Sequence, residues 1–350
     1  MDVTSLDTPV ATVDLDAVER NIARMQEYCD EHRLAFRPHI KTHKLPAIAH
    51  MQMRAGAVGI TCQKLGEAEV MLAAGLRDIL LSFPLVGSGK AERLAALAGE
   101  ATVSVVGDSD VVARGLSSAL ARAGTEVGFL VECDTGFNRT GVQTPQAAAD
   151  LAQLVHALPG LRFDGLMTYP TLPGTGTWFR TAIEEINARG LEVTTVSGGG
   201  THFSHHEASE LTEVRAGTYV YGDRSCIANG SVPLEDCALR VRATVASRPT
   251  ADRGILDCGS KTLTNDPAEE SDSDGRGLIV EYPEARIYAL SEEHGHVDFG
   301  TCESRPEMGE IVTIVPNHAC GCTNLHDDVV VHRAGRVVGV WPVAARGKLR

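Results

Sequence analysis

The chain has 350 residues, 43 % of them hydrophobic, and its 32 basic residues against 46 acidic ones give a net charge of −14. This length suits a large domain with a smaller one, and the acidic balance disfavours nucleic-acid or anionic-membrane binding. No stretch reaches the roughly 18 to 20 apolar residues that span a bilayer, and residues 1–9 lack the apolar core of a signal peptide. The nine cysteines, an odd number, fit reduced thiols better than disulfides. We therefore expect a soluble, acidic protein of the cytoplasm.

Residues 15–235 alternate short apolar runs with amphipathic stretches, which indicates parallel strands joined by crossover helices. The segments that predict strands are 34–39, 58–62, 78–83, 102–106, 126–132, 162–168, 192–197 and 213–221. Eight strands in about two hundred residues match a closed (β/α)8 barrel of the TIM type, within the α/β class. A doubly wound open sheet is the alternative.

Residues 236–350 follow a different pattern and predict a mainly-β C-terminal domain. The strand-like segments are 238–247, 254–258, 284–289, 311–315, 329–332 and 337–341, with turns between them. The acidic segment 266–277 predicts an exposed loop. Residues 1–14, which include a strand candidate at 10–14, could join either this domain or the barrel.

Chemically distinctive residues follow the ends of the predicted barrel strands, where parallel barrels carry their catalytic groups. They are Lys41, Gln63, the segment 134–139, Tyr169, the segment 197–201 and Tyr221. The three glycines at 198–200 would let backbone amides approach an anion, and they follow the seventh strand, where barrel phosphate sites form. An ordinary flexible turn is the alternative for such a sequence.

Lys41 lies in a segment rich in basic residues, Arg-Pro-His-Ile-Lys-Thr-His-Lys at 37–44. Neighbouring positive charges favour the neutral amine, which is the form that condenses with an aldehyde. The alternative is a solvated lysine with no special role. A reactive lysine on one side of the barrel mouth and a phosphate site on the other would suit pyridoxal phosphate.

At these residues the chain resembles the D-threonine aldolase and D-serine dehydratase family of fold-type III, alanine racemase-like pyridoxal phosphate enzymes. The similarity extends over nearly the whole chain. The motifs that carry it are RPHIKTHK at 37–44, CQK at 62–64, EAE at 67–69, DTGFNRTG at 134–141, SGGGT at 197–201, EEHG at 292–295, PNHAC at 316–320 and WPVAARG at 341–347.

The resemblance implies a role for each matching residue. Lys41 would bind the cofactor covalently, Arg139 would approach its phenolic oxygen, and Arg215 would face its pyridine nitrogen. The residues implied for the rest of the cofactor site are Gln63, Ser197, Gly198, Gly199, Gly200, Thr201, Gly217 and Tyr221, and Tyr169 joins Lys41 and His318 as a catalytic residue. An arginine at the ring nitrogen would leave the ring a weak electron sink, so that help from a metal would be useful.

His318 and Cys320 are the metal-ligand candidates. They would lie on the same face of an extended segment, and imidazole with thiolate favours a transition metal over magnesium. The resemblance implies Zn²⁺ or Mn²⁺ beside the β-hydroxyl of a substrate. The nearby polar residues Cys322, His326 and Asp327 are interpreted as structural.

The sequence departs from the family after Tyr169. Many members have a histidine in the turn that follows this tyrosine, whereas here the turn is Tyr-Pro-Thr-Leu-Pro-Gly at 169–174. Either His202, His205 or His206 replaces that histidine, or the pattern of acid–base residues differs.

Several functions fit the resemblance. The preferred one is a metal-dependent aldolase that cleaves a D-β-hydroxy-α-amino acid into glycine and an aldehyde, and the first alternative is a dehydratase that releases ammonia and a 2-oxo acid. A racemase is disfavoured because the second-base motif Gly-Tyr-x-Asp-Gly is missing. A carrier of the cofactor without catalysis would not need the β domain. We also expect a homodimer, because fold-type III enzymes usually complete their sites across a dimer interface.

Overall fold

The structure is a computed structural model that describes residues 1–268 and 275–350. Half of the predicted loop at 266–277, residues 269–274, therefore lies outside the described residues. The chain forms two compact units. The first contains Met1–Arg24, Thr42–Leu45 and Thr218–Gly347, and the second contains Met25–Lys41, Pro46–Gly217 and Lys348–Arg350.

The second unit is built on eight parallel strands, one for each of the eight predicted segments. The first strand of the chain, β1 (Val10–Asp14), belongs to the other unit. The barrel strands are β2 (Ala35–Phe36), β3 (Ile60–Cys62), β4 (Asp78–Leu81), β5 (Thr102–Gly107), β6 (Val127–Glu132), β7 (Leu161–Met167), β8 (Thr195–Gly199) and β9 (Glu213–Arg215). Their order is β2-β9-β8-β7-β6-β5-β4-β3. The ring closes where His39 bridges Thr61, with the amide of Ile40 donating to the Thr61 carbonyl. The predicted barrel is confirmed.

Helices follow the barrel strands in sequence. They are α2 (Pro46–Ala55), α3 (Leu65–Ala73), α4 (Ser88–Ala98), α5 (Asp110–Ala123), α6 (Pro145–Ala157) and α7 (Thr175–Asn187), and α1 (Leu15–Glu31) runs through the division between the units. Four neighbouring strands each contribute one apolar side chain to a buried cluster, namely Leu80, Val106, Leu130 and Met167. This packing fixes the strand ends from which the polar side chains described below project.

The first unit is mainly β, as the sequence predicts. Besides β1, its strands are β10 (Leu239–Ser247), β11 (Arg253–Leu256), β12 (Leu278–Ile279), β13 (Arg286–Leu290), β14 (Gly295–Asp298), β15 (Ile311–Val315), β16 (Asp328–Arg333) and β17 (Arg336–Pro342). Strand β1 pairs antiparallel with β10 and parallel with β16, which places residues 10–14 in this unit. Three short helices, which the sequence does not predict, are α8 (Arg224–Ala228), α9 (Ser260–Leu263) and α10 (Ala319–Thr323).

The division between the units falls after Gly217, whereas the sequence predicts a boundary after residue 235. The reason is that residues 218–235 bond to the β unit. The amide of Arg224 donates to the Pro316 carbonyl at 3.0 Å, and the carboxylate of Asp223 accepts from the amide of Ala319 at 3.0 Å.

The nine cysteines are free thiols, and all nine lie in the described ranges. Among those same ranges, no helix has the length and apolar character that a membrane crossing needs.

Candidate active site

A cavity of the barrel unit brings together five of the residues that the sequence singles out. Its lining consists of His39, Lys41, Gln63, Ser82, Arg139, Met167, Tyr169 and Arg215. These side chains come from the carboxyl ends of six strands or the loops that follow them, which is where a parallel barrel concentrates its chemistry. Sequence reasoning missed His39, Ser82 and Met167 as lining residues.

The Lys41 amine and the Arg139 guanidinium both lie over the ring of Tyr169. The amine nitrogen is 5.6 Å from the ring centroid and the guanidinium carbon is 4.7 Å from it. In the described part of the chain, no carboxylate forms an ion pair with the Lys41 amine. Such an amine is available for covalent chemistry with a carbonyl group.

The prediction that Arg37 adds an unbalanced positive charge near Lys41 is wrong. Its guanidinium donates to Glu213 at 2.7 Å and to Asp78 at 2.5 Å, so that two carboxylates balance its charge. His43 and Lys44 belong to the other compact unit. The positive charge that the cavity contains instead comes from Arg139 and Arg215, which are distant from Lys41 in sequence.

Arg215 is buried and held in place by a network of hydrogen bonds. It donates to the carbonyl of Thr168 at 2.7 Å and to the hydroxyl of Ser197, and that hydroxyl donates to Glu213 at 2.6 Å. Burial lowers the pKa of Arg215 to about 10, an effect that Glu213 and Glu132 partly offset. The arginine is therefore still a cation at neutral pH. The hydroxyl of Ser197, predicted to belong to the cofactor site, is occupied by this network.

A second network orients Gln63. His39 Nε2 lies 3.0 Å from Gln63 Oε1 and 3.1 Å from the Ser82 hydroxyl, while the amide of Lys41 donates to His39 Nδ1 at 3.4 Å. Because Nδ1 accepts, the proton of the neutral imidazole is on Nε2, from which it can be donated to Gln63. His39 lies two residues before Lys41, where the chain enters a turn, and both side chains line the cavity.

The glycines at 198–200 are required by side-chain packing. A Cβ at Gly198 would lie 2.5 Å from Thr171 Oγ1, and a Cβ at Gly199 would lie 2.9 Å from the ring of Tyr169 and 3.1 Å from the guanidinium of Arg215. The Gly199 amide itself donates to Thr171 Oγ1 at 3.2 Å. The loop can thus lie directly against the cavity residues, but one of its amides is already bonded within the protein.

The other predicted cofactor residues, which are the segment 197–201, Gly217 and Tyr221, lie outside this lining. Gly217 is buried two residues after β9, at the end of the barrel unit. Tyr221 is buried in the other unit, where burial raises the pKa of its phenol. Among the described residues, its hydroxyl has no hydrogen-bond partner.

Of the three candidate histidines, His205 contacts the turn that follows Tyr169. Its Nδ1 lies 3.2 Å from the Thr171 hydroxyl, its Nε2 lies 3.1 Å from the Gly200 carbonyl, and its ring stacks on His202 at 3.8 Å. Burial, followed by the nearby His202, lowers the pKa of His205 to about 3. His206 instead bonds the hydroxyl of Tyr28 at 3.1 Å.

The metal-ligand candidates lie in the β unit. His318 precedes α10 with an extended backbone (φ −140°, ψ 104°), and Cys320 is the second residue of that helix. The predicted extended segment is therefore wrong, because the chain turns into a helix between the two residues. The side chains are nevertheless close, since hydrogen bonding to Cys320 is the main cause that raises the pKa of His318 to about 10. A polarizable thiolate beside an imidazole fits a transition metal.

A carboxylate joins this pair. Asp266 Oδ2 lies 2.8 Å from His318 Nδ1. Among the described residues, no set of three or more His, Cys, Asp or Glu side chains converges as a metal site. Two protein ligands would leave the remaining positions of a metal open to water and substrate, as in catalytic sites.

The neighbours of the pair have structural contacts. The Cys322 thiol donates to the Thr262 carbonyl at 3.2 Å, and His326 Nε2 lies 3.1 Å from the same oxygen. Asp327 forms an ion pair with Arg346 at 2.9 Å. The geometry is consistent with their interpretation as structural residues.

Two known protein families match most of the chain. The model of the alanine racemase N-terminal domain matches residues 13–225, and that of the putative serine dehydratase domain matches 238–332. D-threonine aldolase of an Arthrobacter species is 36 % identical over 98 % of this chain and 93 % of its own length. The chain belongs to the D-threonine aldolase and D-serine dehydratase family.

Other members of this family are similar over their full length. The crystal structure of D-threonine aldolase from Filomicrobium marinum superposes with a TM-score of 0.87 at 35 % identity, covering 99 % of this chain and 97 % of that one. 3-Hydroxy-D-aspartate aldolase of Paracoccus denitrificans is 32 % identical over 99 % of this chain and 94 % of its own. D-threo-3-hydroxyaspartate dehydratase of a Delftia species is also 32 % identical, over 90 % and 91 %. The relatives are thus lyases of the fold-type III pyridoxal phosphate class.

The environment of His205 predicts a pH dependence of stability. An unfolded histidine has a pKa of about 6.5, whereas the pKa of folded His205 is about 3. Between these values only the unfolded state binds the proton, so stability is lost as the pH falls, by about 1.4 kcal/mol per pH unit. Between pH 7 and pH 5 the wild type should lose about 2 kcal/mol more free energy of unfolding than His205→Asn. Urea unfolding at the two pH values measures this, and equal losses would contradict the assignment of a neutral, buried His205.

Proposed function

We propose that this chain is a pyridoxal phosphate- and divalent metal-dependent aldolase that cleaves D-β-hydroxy-α-amino acids, such as D-threonine, into glycine and an aldehyde. The observation that carries the proposal is the Lys41 amine, which lines a barrel cavity together with two arginines and has no carboxylate partner among the described residues. The identity of 36 % to a D-threonine aldolase supports the choice of reaction.

The residues of the barrel cavity fit the cofactor. Lys41 would hold it covalently, Arg139 and Gln63 would bind polar groups at its edge, and Arg215 would face its ring nitrogen. When bound, pyridoxal phosphate supplies an aldehyde for the substrate amine and a ring that withdraws electrons from the bonds at Cα. Arg215 would donate a hydrogen bond there and keep its proton, because its pKa is about 10.

The anionic end of the cofactor fits the glycine loop. Gly198, Gly199 and Gly200 have no side chains that would separate an anion from the backbone, and Thr171 and His205 fix the conformation of this loop. We assign Ser197 to the support of Arg215, and Gly217 with Thr201 to the phosphate. Tyr169, whose ring lies under the Lys41 amine, would line the substrate side of the cavity.

His318 and Cys320 would hold the metal, Mn²⁺ or Zn²⁺. Bound to this pair, such an ion supplies Lewis-acid chemistry, which lowers the pKa of a coordinated hydroxyl group. A form of the related D-threo-3-hydroxyaspartate dehydratase that is 28 % identical to this chain has been solved as metal-free, which supports a metal in that protein. His318 would thus act on the β-hydroxyl group through the metal that it binds.

A dehydratase is the second candidate, because D-threo-3-hydroxyaspartate dehydratase is as similar as the second aldolase, at 32 % identity. The same residues would serve, with Lys41 taking the α-proton and hydroxide leaving from Cβ. Alanine racemases share 13 % identity with the chain at a TM-score of 0.70, a likeness of fold alone. We therefore place racemization third.

Product analysis separates the two lyase reactions. With pyridoxal phosphate and Mn²⁺ present, an aldolase converts D-threonine to equal amounts of glycine and acetaldehyde, and it runs backward from these products. Solvent deuterium should enter the glycine, because the carbanion left at Cα must be protonated. Mass spectrometry of the products measures each outcome. Ammonia with 2-oxobutanoate, and no glycine, would instead assign the dehydratase reaction.

Borohydride reduction tests Lys41. In the wild type, peptide mass spectrometry should find the cofactor mass on the peptide that contains this lysine, and Lys41→Ala should lose the label and the activity. Lys64→Ala is the matched control, since the Lys64 amine lies 3.3 Å from the centroid of the Phe83 ring and outside the cavity lining. A label that persists in Lys41→Ala would refute the assignment.

The metal pair is tested by substitution and chelation. His318→Ala and Cys320→Ala should each lower activity more than about 100-fold, because even an outer-shell partner of a metal ligand is worth 10- to 100-fold. The borohydride label on Lys41 should remain. Chelation should have the same effect, and Mn²⁺ or Zn²⁺ should reverse it. Cys322→Ser is the control, and full turnover by metal-free protein would contradict the proposal.

A further inference from the structure

We propose that Asp266 is a positioning residue of the metal centre, which holds the imidazole of His318 in the tautomer and orientation that presents Nε2 to the metal. This inference rests on the proposed metal site at His318 and Cys320. It concerns a residue 52 positions away in sequence, outside every motif that carries the family resemblance.

The contact itself defines the tautomer. Asp266 Oδ2 lies 2.8 Å from His318 Nδ1, and an ionised carboxylate can only accept a hydrogen bond. The imidazole must therefore donate from Nδ1, which leaves the lone pair of a neutral ring on Nε2. A carboxylate bonded to the second nitrogen of a ligating histidine is the usual outer-shell arrangement in metal sites.

The contact between Asp266 and His318 contributes little to the stability of the fold. The side chains of Asp266 and His318 are 48 % and 46 % exposed, and exposed ion pairs contribute about 0 to 1 kcal/mol. Fold stability alone therefore does not explain why the surrounding residues hold Asp266 against His318.

The backbone of Asp266 is tied to the segment that carries His318. Asn317, which is buried, donates its side-chain amide to the Asp266 carbonyl at 3.0 Å and to the Gly275 carbonyl at 2.8 Å. The amide of Asp266 donates to the hydroxyl of Thr264 at 3.1 Å. Thr264 has a φ of +73°, a left-handed conformation that is costly for a β-branched residue. Strain of this kind is kept where the surrounding contacts require one geometry.

Gly321 leaves the space that the carboxylate occupies. A Cβ at this position would lie 2.8 Å from Asp266 Oδ2 and 2.9 Å from Thr264 Cγ2. Gly321 is inside α10 and has no positive φ, so its own backbone does not require glycine. Glycine within a helix costs about 1 kcal/mol relative to alanine. The close approach of Asp266 gives a reason for this glycine.

Binding of Co²⁺ tests the inference without reference to turnover. Cobalt bound to a thiolate gives a charge-transfer band in the near ultraviolet, so titration of metal-free protein with Co²⁺ yields a Kd. Asp266→Ala should raise that Kd about 10- to 100-fold, and Asp266→Asn should raise it less, because its amide oxygen still accepts from Nδ1. Gly321→Ala should behave like Asp266→Ala. At saturating Co²⁺ the thiolate band should persist in all three variants, because Cys320 is still a ligand.

Asp252→Asn is the matched control. Asp252 is an exposed carboxylate in the same unit, paired with Arg305 at 2.8 Å, and its loss should leave the Kd unchanged. The urea midpoint of unfolding of metal-free Asp266→Ala should match that of the wild type, because an exposed ion pair contributes little to stability.

The possible outcomes separate the inference from the metal proposal. A thiolate band in the wild type with an unchanged Kd in Asp266→Ala would overturn the role of Asp266 alone. A loss of binding as complete as in His318→Ala would also overturn it, because Asp266 would then be a direct ligand. A wild type without any thiolate band would overturn the proposed metal site itself.

Discussion

The carboxylate of Glu213 is the interaction on which the barrel cavity depends. Inside the barrel it accepts from Arg37 through one oxygen and from the Ser197 hydroxyl through the other, and Ser197 in turn accepts from Arg215. Glu213 thereby compensates the charge of two guanidinium groups, that of Arg37 directly and that of Arg215 through Ser197. A buried ion pair that loses one partner costs about 3 to 5 kcal/mol, since a charge is left without compensation. Glu213 thus makes it possible for a cationic Arg215 to line the cavity.

This network also joins the strands that carry the chemistry. Ser197 belongs to β8 and Glu213 to β9, and Arg37 extends the connection to Asp78 at the start of β4. The next residues after Arg37 close the ring at His39 and lead to Lys41. The Lys41 amine thus follows, within four residues, the arginine that is bonded to the same carboxylate that supports Arg215. Functional groups on rigid elements of this kind are held more accurately than groups on free loops.

The sequence was sufficient for the elements that have a long, regular pattern. All eight barrel strands are predicted, even the short ones, because apolar runs alternate with amphipathic stretches over the whole barrel segment. No such alternation surrounds β12, α9 and α10. Lys41 and Arg139 are predicted because each follows a strand end, and Arg215 because its segment matches the family. Their charge environment was misjudged, since neighbours in sequence such as Arg37 turn to carboxylates of other strands. Asp266 carries no sequence signal, because its contact with His318 exists only after the β unit has folded.

The pKa of Arg215 bears on why this scaffold would need a second source of activation. A guanidinium with a pKa of about 10 donates a hydrogen bond but does not transfer its proton to a weakly basic ring nitrogen. In the proposed reaction, electron withdrawal through an unprotonated ring would be weaker, so cleavage of the bond from Cα to Cβ would gain from assistance at Cβ. In a β-hydroxy amino acid Cβ carries the hydroxyl group, and Lewis acids act on hydroxyl groups. In the proposed reaction a metal held by His318 and Cys320 would supply this assistance, and a substrate of the alanine type, which has no β-hydroxyl, would not need it.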